Sequence, residues 1–402
     1  MSAGVILVIN AGSSSLKFSV FRLMDAESFM LVVRGQMEGL GTRPRLTARD
    51  AAGNKLVERE FAVSEAHEAR DAIRLAGAWL LEHIHDEDWV AVGHRVVHGG
   101  AHYARPVLID ETVYAELERL IPLAPLHQPH NLAAIRAVRE WQPQLPQVAC
   151  FDTGFHRTHS QLADLYALPW EYYQAGVRRY GFHGLSYEYI ASALPAIAPA
   201  VAHGRVIVAH LGNGASLCAI NAGHSVDSTM GFSALDGIPM GTRPGALDPG
   251  VLLYLVAQRG MQAGELEQVL YKQSGLLGIS GISNDMRTLI ESTEPRARLA
   301  IDYFVHRIAK EIGALTAVLG GVDALVFTAG IGENSAEIRA RIVAACAWLG
   351  MALDVDANRR GGPCISAAGS AVSAWVMPTN EELMIARHTL ALVQSSGRGH
   401  DH

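Results

Sequence analysis

Two arginines stand in loops otherwise poor in charge, Arg95 within GHRVVHGG and Arg243 within PMGTRPG. A guanidinium flanked by glycines can fork onto the oxygens of a carboxylate or a phosphate through parallel N–H bonds. Three stretches rich in small residues offer further donors: the opening turn of VINAGSSSLKF, then Gly212-Asn213-Gly214-Ala215-Ser216, then Gly330-Ile331-Gly332-Glu333-Asn334. Their backbone N–H groups could surround a polyphosphate. None is a Walker loop, because G-x-x-x-x-G-K-[ST] occurs nowhere in the chain. Taken singly, the first stretch also suits a plain serine-rich hairpin and the third an ordinary capped helix start. His183 in RRYGFHG and His127 in PLHQPHN are either site residues or hydrogen-bonded structural histidines. Magnesium needs only one or two protein oxygens beside the phosphates, and Asn10 and Glu381 could supply them directly or through water. Zinc is disfavoured. His94 and His98 fall in a strand and loop with no H-E-x-x-H, and His156 and His159 are wrongly spaced with no nearby cysteine.

These residues need elements to position them. Val5 to Ile9 reads as a strand buried on both faces, and Leu16, Phe18 and Val20 alternate with polar residues as a second strand. Arg205 to Leu211, a Gly/Asn/Ser turn and Leu217 to Ile220 repeat that plan, which suggests two duplicated α/β halves. Further strands are predicted at 90–92, 148–151, 323–329 and 371–377. Helices are predicted at 65–85 with Ser64 as N-cap, after Asp110, from Asn131 to Trp141, at 296–319, around Ile338 to Leu349, and at 381–393. Residues 39–49 and 51–54 read as polar turns, and the tail from Ser395 as disordered. On this plan Asn10, Asp152, Asn213, Gly330 and Glu381 all stand at or just past strand ends, where open α/β sheets gather their ligands. The domain boundaries fall at 1–151, completed by the final helix 385–402, and 152–384.

A chain of 402 residues is too long for one ordinary core and suits two domains. Its composition is globular, 49% hydrophobic and 18% charged. The formal charge of -7 gives no basic field for nucleic acid or an anionic membrane, so an anionic substrate must meet local cations. Four scattered cysteines form no Cys-x-x-Cys pair and suit a reducing compartment. No signal peptide and no run of eighteen apolar residues is present, so a cytoplasmic location is expected.

Assembled in order, these stretches resemble the acetate kinase family of the actin-like and sugar-kinase superfold. VINAGSSSLKF and VAHLGNGASLCAINAG look like its two signatures, and GHRVVHGG, FDTGFH, RRYGFHGLSY, MGTRPGALDPG, FTAGIGENS and PTNEELMIARHT match further blocks. The resemblance covers nearly the whole chain. It implies two duplicated actin-like, ribonuclease-H-like domains with an active-site cleft between them. It also implies a homodimer and reversible transfer of phosphate from ATP to acetate, giving acetyl phosphate and ADP. Carried over by position, Asn10 and Glu381 stand around magnesium, or manganese in its place. Ser13, Ser15 and Lys17 face phosphate. Arg95 and Arg243 hold acetate and the transferring group, Asp152 orients, and His183 stabilises the transition state. The acetate pocket takes Arg95, Val97, Leu126 and Phe182. The nucleotide meets His210, Gly212, Asn213, Gly214, Asp285, Arg287, Gly330, Ile331, Gly332 and Asn334. Ala101, Gln128, Gly154 and Pro244 depart from the family pattern and bear on loop geometry, leaving the charged residues intact. Propionate kinase, with the same chemistry on a longer acyl chain, and an actin-like ATPase switch are the alternatives.

Overall fold

A computed structural model describes residues 4–25, 28–85 and 87–397. It divides into two compact units, Met1–Gly154 with Asn380–His402, and Phe155–Thr379. Asp152 and Glu381 therefore belong to the first unit, whereas the boundaries drawn from sequence put both in the second. The reason is local. The Asp152 N–H still donates to the Val96 carbonyl of the first sheet at 3.1 Å, and the terminal helix already begins at Glu381.

The first unit is built on eight strands: β1 (Gly4–Ala11), β2 (Ser15–Leu23), β3 (Phe29–Glu38), β4 (Arg45–Asp50), β5 (Lys55–Glu60), β6 (Asp88–Val96), β7 (Val107–Leu108) and β8 (Gln147–Phe151). Their order is β5-β4-β3-β2-β1-β6-β8-β7. The second carries β9 (Arg205–Leu211), β10 (Ala215–Asn221), β11 (His224–Ser228), β12 (Ala324–Thr328) and β13 (Ser373–Val376), in the order β11-β10-β9-β12-β13. The two halves share one plan. In β3-β2-β1-β6-β8 and in β11-β10-β9-β12-β13 the first three strands run antiparallel and the last three parallel.

Apolar alternation explains the layering. In the first unit, Leu7, Ile9 and Phe18 meet Ile73, Leu80 and Val138 of the helices Ala69–His83 and Gln128–Trp141. The terminal helix Glu381–Gly397 lies against β6 and β1. It comes close at Gly93, where a Cβ would fall 2.4 Å from Thr389 Oγ1 and 2.5 Å from Ile385 Cγ2. Only glycine admits that helix, and with it Glu381. In the second unit Tyr187, Ile190, Val208 and Val326 form the corresponding core.

Several sequence expectations needed revision. β4 takes over the predicted turn 39–49 from Arg45 onward, because Leu46 and Ala48 turn inward while their neighbours stay polar. The helix predicted from Glu65 begins at Ala69, and Glu68, whose N–H donates to Asp71 Oδ2 at 3.2 Å, replaces Ser64 at its start. The helix predicted from Asn131 begins at Gln128, since Pro129 is tolerated in a first turn. Ser395–Gly397 continue the last helix, and the rest of the predicted disordered tail, 398–402, lies outside the described residues.

Candidate active site

Adjacent parallel strands bring the charges of the first unit together. Arg95 stands near the end of β6 and Asp152 follows β8, with Arg95 in register with Cys150. Asp152 is 2% exposed and accepts from Arg95 Nε at 3.1 and 3.0 Å and from Nη2 at 2.6 Å. Arg95 Nη1 lies 3.5 Å from Asn10 Oδ1, and Nε lies 3.7 Å from Glu381 Oε2. Burial opposes the guanidinium charge, but Asp152 and Glu381 outweigh it and hold Arg95 above the ordinary arginine range. Burial raises the Glu381 carboxyl, while Arg95 and Lys17 pull it back and Glu382 adds to the rise. Asn10 and Glu381 are both hard oxygen donors, and a second positive charge would relieve Glu381. That donor set fits magnesium, which keeps most of its water shell and takes few protein ligands. Lys17, opposite Asn10 in the β1–β2 register, is exposed, as is Ser13, while Ser15 is half-buried.

Three side chains that sequence reasoning did not assign hold the loop after β6. Asn131 accepts from the Val97 N–H at 3.0 Å and donates to the Ala11 carbonyl at 2.9 Å, tying that loop to the β1–β2 turn. Gln128, one of the departures, accepts from His98 N at 3.2 Å and donates to its carbonyl at 3.1 Å. Thr153 Oγ1 accepts from Gly99 N at 3.0 Å. Val97 and Leu126 are half-buried. None of the four histidines weighed for zinc, His94, His98, His156 and His159, stands in a cluster of three metal-ligating residues among the described residues. His94 meets Gln147 at 2.8 Å and is pushed down to about 4 by burial.

The second unit gathers imidazoles and hydroxyls near one arginine. His183 is the N-cap of the helix Gly184–Ile197 and adopts a left-handed φ of 59°, a conformation rare away from glycine and concentrated at functional sites. Its Nδ1 lies 2.8 Å from Ser216 Oγ, which lies 2.5 Å from the Tyr187 hydroxyl. The His183 ring stacks on His210 at 4.2 Å and 16°, and His210 Nδ1 meets Ser186 Oγ at 2.8 Å. Arg243 Nη1 donates to the Ala234 carbonyl at 2.7 Å. A Cβ on Gly214 would lie 2.6 Å from Arg243 Nη2 and 3.3 Å from His183 Nε2, so both groups converge on that turn. Phe182 is 3% exposed, and its carbonyl meets His156 Nε2 at 2.9 Å.

Beside that turn opens a cavity of about 670 Å³ lined by Gly212, Asn213, Asp285, Arg287, Gly330, Ile331 and Asn334. The size suits a small-molecule ligand. Asn284, which sequence reasoning missed, donates to Asn213 Oδ1 at 3.2 Å and lines the same space. Asp285 caps the helix Met286–Glu291 and pairs with Arg287, whose hydrogen bond holds the carboxyl below its ordinary range. The third glycine stretch is itself a helical turn, Ala329–Asn334, that starts directly off β12. Within it Gly332 does not line the cavity. It is buried, and its carbonyl accepts from Arg339 Nη1 at 2.9 Å. His210 also stands apart from the cavity lining, with the His183 group.

A family model described as the Acetokinase family matches residues 5–387. An acetate kinase of Nitrobacter hamburgensis is 55% identical over 388 residues, with 96% of each chain covered. Among solved structures, a propionate kinase from Francisella tularensis subsp. tularensis SCHU S4 superposes with a TM-score of 0.90 at 38% identity, covering 97% of this chain and 100% of that one. The acetate kinase of Porphyromonas gingivalis superposes with a TM-score of 0.87 at 38% identity and the same coverage.

Proposed function

The chain belongs to the acetokinase family and is an ATP:acetate phosphotransferase of actin-like, ribonuclease-H-like fold, and we propose how its residues divide that reaction. Acetate is already an ionised carboxylate, so its oxygen attacks the γ-phosphorus without a base. Catalysis reduces to in-line positioning and to neutralising charge on the three equatorial oxygens. In the second unit, Arg243 and His183 donate to those oxygens, Gly212 to Gly214 approach the phosphates through backbone, and the cavity beside them receives the nucleotide. In the first unit, Arg95 holds an acceptor or phosphoryl oxygen and Asp152 fixes the guanidinium plane. Val97 and Leu126 border the acyl group, and Ser13, Ser15 and Lys17 face phosphate. Magnesium, when bound by Asn10 and Glu381, supplies positive charge to the phosphates. The observation that carries this reading is the convergence of Arg243 Nη2 and His183 Nε2 on Gly214.

A homodimer in the cytoplasm completes the proposal. The helix Pro249–Arg259 leaves Leu253 71%, Tyr254 54% and Val256 49% exposed, apolar surface that a second copy could cover. Among the described residues no helix is long and apolar enough to cross a membrane. The test is acyl phosphate capture: ATP, magnesium, hydroxylamine and acetate should yield acetohydroxamate, with propionate a weaker acceptor. ATP hydrolysis independent of any carboxylate would favour the ATPase switch instead. Glu381→Ala should raise the magnesium concentration needed for half-maximal rate, and an unchanged requirement would remove Glu381 from the metal site.

A further inference from the structure

We infer that Tyr187 and Ser216 are positioning residues that hold the proton of His183 on Nε2. This rests on the phosphotransfer reading above, in which Nε2 faces phosphoryl oxygens. Ser216 lies on β10, two residues beyond Gly214, and Tyr187 lies one helical turn after His183. Four residues on, a side chain shares the helix face, so Tyr187 and His183 reach the same hydroxyl. Ser216 and Tyr187 are both 0% exposed, so the hydrogens between them are placed by the protein rather than by bulk water.

The order of donation decides the tautomer. A neutral imidazole carries one N–H, and the partner of the other nitrogen selects which. The phenol is the more acidic hydroxyl and the better donor. On that ground it is the donor across the 2.5 Å separation from Ser216 Oγ, which leaves the Ser216 hydrogen for His183 Nδ1, 2.8 Å away. The imidazole proton then resides on Nε2, the nitrogen that shares the approach to Gly214 with Arg243 Nη2. Phosphoryl oxygens only accept. With the chain reversed, Nε2 would turn a lone pair toward them and oppose the arginine. The stack on His210 keeps the ring plane fixed while this selection operates.

Long-range proton–nitrogen NMR of the full chain labelled with ¹⁵N-histidine, at pH 8 where an ordinary imidazole is neutral, reads the tautomer directly. The His183 signal is identified by its loss in His183→Gln. The expected pattern is Nε2–H. An Nδ1–H pattern in the unaltered protein overturns the inference, whatever the variants do. In kinetics, Ser216→Ala should lower kcat about tenfold or more with the KM values for acetate and ATP within about twofold, Tyr187→Phe should lower it several-fold, and Ser216→Thr should recover most of the loss. An unchanged kcat in Ser216→Ala also overturns it. Failure of the unaltered protein to form acetohydroxamate would instead reject the phosphotransfer reading, while the tautomer pattern is still read on its own.

Discussion

The two glycine-rich hairpins have the same place in the same sheet plan, yet their surroundings differ in kind. The β1–β2 turn closes with Ala11 opposite Leu16 and the β9–β10 turn with Leu211 opposite Ala215. Around the first stand Arg95, Asp152 and Glu381, an arginine bound by two carboxylates. Around the second stand His183, Ser216 and Tyr187, joined by hydrogen bonds, and Asn213, held by Asn284, with Arg243 converging on the same turn and no carboxylate among these partners. The strands at equivalent positions explain the contrast. β6 and β8 carry Arg95 and lead into Asp152, whereas β12 leads into the helical turn that lines the cavity. A duplicated backbone supplies the turn, and the side chains past the neighbouring strands decide whether it serves charge or a ligand cavity.

The largest effect that would break this contrast is on Arg95. Arg95→Ala strands the buried Asp152 without its cation, which costs about 3–5 kcal/mol of stability, and, if Arg95 has the role proposed for it, should lower kcat/KM on the order of a hundredfold. Arg243→Ala should match the catalytic loss with a much smaller stability loss, since its bond at Nη1 is to a backbone carbonyl. Thermal unfolding beside kinetics decides the matter. Equal destabilisation by the two changes would mean that the units do not differ as described.

In acid, by contrast, the units should behave alike. Burial lowers His94 of the first unit to about 4 and holds His156 of the second well below its ordinary value. A histidine kept neutral in the fold but ordinary when unfolded binds its proton only on unfolding. Stability is therefore full above about pH 6.5 and falls as the pH drops toward 4, by on the order of 3 kcal/mol for His94 alone. Urea unfolding across that window should show the decline. His94→Asn should flatten it, and an unflattened slope would assign the effect to other groups.

A smaller effect separates the two turns themselves. A Cβ on Gly12 would rest 3.5 Å from Ser15 Oγ, an ordinary contact, whereas one on Gly214 would sit 2.6 Å from Arg243 Nη2. Gly214→Ala should lower kcat about tenfold or more by displacing the guanidinium, and Gly12→Ala should stay within a few-fold. Comparable losses would show that both turns are needed for backbone approach alone.

How much of this could be read from the chain follows the same division. The strand-turn-strand units, the glycine turns and the two arginines were legible because residue type and local spacing specify them. β4 was not, since RLTARD buries only Leu46 and Ala48 and its remaining residues look like loop. Asn131 looked like a helix start, but its side chain is engaged with Ala11, 120 residues away, and with Val97. Ser216 and Tyr187 meet only because the helix that follows His183 packs on the sheet that holds β9 and β10. Contacts of that range leave no periodic or motif signal. Gly332 is the opposite case, a motif glycine that is buried and whose carbonyl is taken by Arg339.

The finest discrimination is asked of Val97. Two residues beyond Arg95, it would share the face of that arginine in a continuing strand. The structure ends β6 at Val96 and leaves Val97 in a bend, half-buried like Arg95 while Val96 between them is buried. Its N–H is fixed by Asn131 at 3.0 Å, so the backbone cannot drift when the side chain is trimmed. If its methyls limit the acyl chain, Val97→Ala should lower the KM for propionate while barely changing that for acetate. One methylene in an apolar pocket is worth about 1–3 kcal/mol, so the ratio of efficiencies should shift several-fold to tens-fold. A valine that merely fills the core would instead lose stability and weaken both substrates alike. Partial exposure already argues for a small packing loss, and measuring both substrates and the melting temperature in the one variant separates the roles. A constant acetate-to-propionate ratio would leave Val97 with no part in selectivity and shift the question to Leu126, the half-buried residue on the segment before the helix Gln128–Trp141.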